Sequence, residues 1–137
     1  MSSRSGSERR PVVPFAVAAS ISAGVIHAAV VPEHLEEAWL FGAFFVACAL
    51  FQFGWAGAIA VRPSPVLWWL GILGSGAMVA IWAVSRTTGL PVGPEPWLPE
   101  AVGGLDVVST ALELFIVAAA AWSLSAGREG RRSGALA

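Results

Sequence analysis

The sequence predicts an all-α protein, a four-transmembrane-helix bundle with both termini cytoplasmic, and three observations carry that expectation. Charged residues make up 12% of the 137 and hydrophobic ones 56%, whereas soluble domains carry about 25% charged residues. The apolar residues collect in four stretches, 12–31, 38–61, 66–84 and 101–126, each near or above the roughly 20 residues needed to cross about 30 Å of hydrocarbon. None of the stretches alternates polar with apolar, and backbone in lipid must satisfy itself inside a helix or a closed barrel.

The first helix is expected over 14–31, after a head carrying Arg4, Arg9 and Arg10. Its apolar run is long for a signal peptide and three more spans follow, so it reads as a membrane helix. The second is expected over 33–61, directly after Pro32. A proline at a helix start gives up only an N–H that had no partner, and Glu33 and Glu36 would complement the positive end of the helix dipole. Cys48, the single cysteine, excludes an intrachain disulfide and reads as a small core hydrophobe. The third helix, 65–86, follows a short turn with Arg62 and opens on Pro65. The fourth, 99–126, opens on Pro99-Glu100. The two Pro-Glu starts are one shared capping solution and not an internal repeat. Four prolines make the loop RTTGLPVGPEPWLPE (86–100) stiff. The tails, 1–11 and 127–137, are rich in polar and small residues and are expected to be disordered cytoplasmic segments around a membrane domain spanning 12–126.

Arginine sets the expected orientation, because the chain has no lysine. Arg4, Arg9, Arg10, Arg62, Arg128, Arg131 and Arg132 fall on one side of a four-span topology, and only Arg86 on the other. The positive-inside rule places the larger group in the cytoplasm. Glu33, Glu36, Glu37, Glu95 and Glu100 then lie outside. Trp39, Trp82 and Trp97 are expected at the outer interface, and Trp68, Trp69 and Trp122 at the inner one.

His27, Asp106 and Glu113 stand inside the spans, where ionisable groups are costly and turn toward the bundle interior. From the helical rise of ~1.5 Å per residue, His27 lies about 6 Å and Asp106 about 7 Å below the outer surface. Glu113 lies about 18 Å and Gln52 about 21 Å down. Asp106 and Glu113 are seven apart and share a stripe with Gly103 and Thr110. Ser20, Gly24 and His27 form a small polar stripe on helix 1, and Gly71 and Ser75 one on helix 3, the kind of surface on which membrane helices approach closely. Val17 is expected on the lipid side. The expectation is an outer vestibule of His27, Asp106, Arg86 and the loop glutamates above a deeper Glu113–Gln52 layer.

The plain reading of HAAVVPEHLEEAW (27–39) is a short outer turn followed by a proline-started helix with acids in its first turn. A sharper one makes His27, His34, Glu37 and Asp106 ligands of a divalent cation, a cofactor suited to imidazole plus carboxylate. There is no HExxH or CxxC. Two methionines argue against Cu(I), and His27 and His34 at one level argue against haem. No nucleophile elbow, phosphate loop or Ser/His/Asp pattern is present, so an enzyme is the less favoured reading. No basic run interleaved with aromatics indicates a nucleic-acid partner.

The motifs PEHLEEAW (32–39), VSRTTGLPVGPEPW (84–97) and GLDVVSTALEL (104–114) resemble a group of small, uncharacterised four-span integral membrane proteins of bacteria, over roughly 14–125. The resemblance implies a topology and a location in the bacterial cytoplasmic membrane, with no activity, ligand or site residue attached. Two functions follow. One is a membrane protein that binds a cation or relays protons through its His/Asp/Glu cluster. The other is a structural or accessory subunit packing against itself or a membrane partner protein, with the lipid bilayer as the partner common to both.

Overall fold

The computed structural model describes the backbone of residues 12–135 and the side chains of 12–128. Four helices follow one another: α1 (Val12–Glu37), α2 (Trp39–Val61), α3 (Pro65–Thr87) and α4 (Gly104–Ala135). Each contains a segment long and apolar enough to cross a membrane, and in α4 that segment is Gly104–Arg128. The bundle is consistent with a small multi-pass membrane protein. Residues 1–11 lie outside the described residues, and so does their expected disorder; over 127–135 the chain continues as helix.

The largest departure from expectation is at Pro32, which lies inside α1 and does not open α2. The helix continues to Glu37, and a single extended residue, Ala38 (φ −159°, ψ 135°), joins it to α2. Glu33, Glu36 and Glu37 therefore sit at the negative end of the α1 dipole, the reverse of the expected arrangement. Pro65 does open α3, where the Ser64 hydroxyl accepts a hydrogen bond from the Leu67 N–H at 3.3 Å. Pro99 stays in the loop, and α4 begins five residues later. There the Gly103 N–H donates to Asp106 Oδ2 at 2.9 Å, the return half of a capping box.

α1 packs along α2 on one side and α4 on the other, and α3 lies on α4. α2 and α3 meet chiefly near the turn that joins them, where the Trp55 and Trp68 rings pack edge-on with centroids 5.9 Å apart. Trp55 Nε1 donates to the Leu67 carbonyl at 2.7 Å, and a side chain at Gly71 would run into the Trp55 ring. With Ala16, Ala19, Ile59, Ile116, Ala119 and Ala120 these rings form the buried core. Trp68, expected at an interface, belongs to this core, and Val17 packs partly against it.

Small residues let α1 and α2 come close, as their stripe suggests. Ser20 and Gly24 are buried, and a Cβ on Gly24 would lie 2.9 Å from the Phe53 ring. Ser20 Oγ lies 2.8 Å from the Gln52 carbonyl and 2.5 Å from Gln52 Oε1. The long α3–α4 loop closes on itself through Trp97, whose N–H donates to the Leu90 carbonyl at 2.8 Å from a left-handed φ of 64°. Gly89 (φ 74°) permits that closure, since any Cβ there would meet the Trp97–Leu98 backbone.

Candidate functional site

Away from the Trp55–Trp68 end, α2 and α3 diverge and leave a cavity of about 330 Å³. The phenylalanines Phe41, Phe44 and Phe45 of α2 face Met78, Ile81 and Trp82 of α3 across it, and α1 and α4 contribute His27, His34, Thr110 and Glu113. Trp82, expected at the outer interface, is part of this wall. Leu90, Val92 and Glu100 of the loop close one end.

At the cavity's polar side, His27 Nε2 and Glu113 Oε1 lie 2.8 Å apart, with side chains 7% and 2% exposed. One proton must sit between these atoms: either the imidazole N–H donates to a carboxylate, or the carboxyl O–H donates to the ring nitrogen. This is the single hydrogen bond that either side chain makes among the described residues, so Nδ1 and Oε2 are left over. An acid and a base at this spacing in a low-dielectric interior form a strong contact.

Sequence spacing placed His27 with Asp106 and Glu113 with Gln52; the structure pairs them otherwise. The reason is the Pro32 error. With α1 ending at Glu37, six residues later than expected, His27 lies about 15 Å from the helix end. Glu113 is nine residues from the start of α4, about 14 Å, so the two are level. Gln52 instead meets Ser20, and its Nε2 approaches Met78 Sδ at 3.6 Å. Asp106 is held by Arg86, whose Nη2 donates to Oδ2 at 2.6 Å. Arg86 Nη1 also donates to Glu100 Oε2 and, at 3.0 Å, to Ser85 Oγ. The Glu100 N–H reaches the Ser85 carbonyl at 3.0 Å. Arg86 thus ties the loop and the start of α4 to the end of α3, at the cavity's edge.

The four residues expected as cation ligands do not converge. Phe45 stands against both histidine rings, 5.7 Å from His27 and 4.1 Å from His34 between centroids. His27 and His34 are seven residues apart on one helix, about 10 Å along its axis, which separates the two imidazoles. His34 Nδ1–H donates to the Val30 carbonyl at 2.8 Å, since that oxygen can only accept. Glu37 is exposed at the end of α1, outside the cavity wall, and Asp106 is engaged with Arg86. Among the described residues no three His, Cys, Asp or Glu side chains gather as a metal-ligand group, so metal binding lacks support.

Sequence reasoning passed over Phe45 and Thr110 as wall residues, and Met78 entered it only as a count. Their signal was present in part: Thr110 shares the Asp106–Glu113 stripe, and Met78 lies one turn from Ser75. Comparison with known proteins finds no matching family model, curated protein or solved structure.

Proposed function

We propose that this chain is a proton-relaying membrane protein in which the His27–Glu113 pair is the exchanging site and the cavity is its access. The observation that carries the proposal is the 2.8 Å contact between a buried imidazole and a buried carboxyl that both line the cavity. An intramembrane ionisable pair facing a cavity is characteristic of proton pathways. The leftover Nδ1 and Oε2 allow a proton to arrive on one member and leave from the other. We assign the chain to a bacterial cytoplasmic membrane, in keeping with its resemblance to small four-span bacterial proteins. Both termini then lie inside, as the seven-to-one arginine distribution favours, and the cavity lies in the outer half.

Infrared spectra of the protein in nanodiscs test the site. A Glu113 carboxyl or carboxylate band, identified by its loss in Glu113→Gln, should shift within seconds of transfer to D₂O. Vesicles loaded with a pH-sensitive dye should show proton uptake that Glu113→Gln and His27→Gln remove. A band that stays unshifted for hours, with no dye response, would overturn the proposal and leave the accessory-subunit reading. On a Cys48→Ser background, an impermeant thiol reagent applied outside should label a cysteine introduced by Glu95→Cys in the exposed α3–α4 loop and not one introduced by Ser133→Cys; the reverse pattern would invert the orientation.

A further inference from the structure

The cavity has a chemistry that proton exchange does not explain. Its volume, about 330 Å³, falls in the range of small-molecule sites, roughly 300–1,000 Å³, which are mostly apolar with a few placed polar groups. Among the described residues, three buried polar atoms of its wall residues have no hydrogen-bond partner: Thr110 Oγ1, Trp82 Nε1 and Arg86 Nε. Thr110 is 7% exposed, so water does not account for its orphaned hydroxyl at the surface. A native fold leaves few such groups unmet, because a donor or acceptor buried alone has lost its bonds to water and gained none.

The unmet groups define what would meet them. Indole N–H and guanidinium Nε–H donate only, and a threonine hydroxyl does either. Glu113 Oε1 is engaged with His27, and Glu100 Oε2 and Asp106 Oδ2 with Arg86, and no acceptor among the described residues reaches Trp82 Nε1 or Arg86 Nε. An occupant must therefore bring acceptor oxygens. A cation would face Arg86 and an anion would face three carboxyl groups, so the occupant is uncharged. The phenylalanine and indole walls favour a flat ring, which stacks on or meets aromatic edges. Leu40 of α2 and Ile81 of α3 both line the cavity and are 40% and 38% exposed, so the α2–α3 side of the cavity is incompletely covered by the rest of the bundle.

We propose that the cavity is a binding site for an uncharged, membrane-dissolved flat ring bearing carbonyl oxygens, of the quinone chemical class, entering between α2 and α3. The site goes beyond the proton relay and does not depend on it.

Equilibrium binding of radiolabelled menadione to the protein in nanodiscs, corrected for partition into empty discs, tests it. Binding should saturate near one molecule per chain. Thr110→Val, which keeps shape and removes the hydroxyl, should weaken it about fivefold, the worth of a single hydrogen bond, and Trp82→Phe, which removes the indole N–H with part of the wall, should weaken it at least as much. 2-Methylnaphthalene, the same ring without carbonyls, should compete poorly, and a long-chain fatty acid not at all. Ser109→Trp, which fills the cavity, should abolish binding. Should that variant misfold, Thr110→Val and Trp82→Phe still decide. Absence of saturable binding overturns the site. Menadione binding indifferent to Thr110→Val and Trp82→Phe overturns the placement. Equal competition by methylnaphthalene or by the fatty acid overturns the ligand class. Ring binding is read on menadione with Thr110→Val, and proton exchange on the Glu113 infrared band without menadione, so failure of either proposal is visible without the other.

Discussion

The two ends of this bundle are built from the same four helices and contrast sharply. Near the α2–α3 turn, alanines of α1 and α4 meet Trp55, Trp68, Ile59 and Ile116 in a core without charged members. Near the α3–α4 loop, large aromatics stand apart around a cavity, and the buried polar groups are an imidazole, a carboxyl and the hydroxyls of Ser85, Ser109 and Thr110. Lipid supplies no hydrophobic drive between helices, so membrane association depends on close packing and hydrogen bonds. The first end uses close packing and the second uses polar contacts. The lesson is that stability is concentrated at one end, which frees the other to hold costly groups.

That contrast can be broken by substitution. The largest effect should come from Trp55→Ala, which removes an edge-on ring pair and a hydrogen bond and should lower unfolding free energy in detergent by about 3–5 kcal/mol. Phe44→Ala, which only enlarges an existing cavity, should cost less than half as much. Equal losses would show that the two ends are equally packed. Next, Gly24→Leu should cost about 1–3 kcal/mol by forcing the Phe53 ring away, whereas Val25→Leu, at a position 55% exposed, should change the melting temperature little. Then, Glu113→Leu should cost roughly 1–3 kcal/mol by orphaning His27, and Glu113→Gln should stay within about 1 kcal/mol because the amide keeps a bond to the ring. Last, Met78→Leu, a near volume-conserving change in the cavity wall, should cost under about 1.5 kcal/mol. A loss there as large as at Trp55 would mean that the cavity end is tightly packed after all.

Much of this was legible from residue order. Long apolar runs identified the four helices, the seven-residue spacing put Asp106 and Glu113 on one face, and Ser20 and Gly24 marked a helix–helix contact. What failed was the end of α1, and with it the partner of the small-residue stripe, which was expected to face α4 and whose Ser20 and Gly24 lie against α2. Proline favours a helix start, but a helix in lipid can carry one where its freed carbonyl is otherwise met or tolerated, and nothing local to Pro32 distinguishes the two cases. That one boundary moved His27 by about 9 Å along its axis and exchanged its partner. The tryptophans misled for a related reason. An indole serves an interface as readily as a core, and Trp68 and Trp82 are assigned by which helices meet, a property of the whole chain.

Ala38, the lone residue between α1 and α2, has a consequence for assembly. A one-residue joint holds the two antiparallel helices at a very high effective concentration for each other, with almost no loop-closure entropy to overcome. The α1–α2 hairpin can therefore form as a unit as soon as both segments are in the membrane. The His27–Glu113 contact, spanning 86 positions of sequence, must wait for α4. Assembly is thus ordered by chain connectivity, and the polar site is the last part of the bundle to be completed.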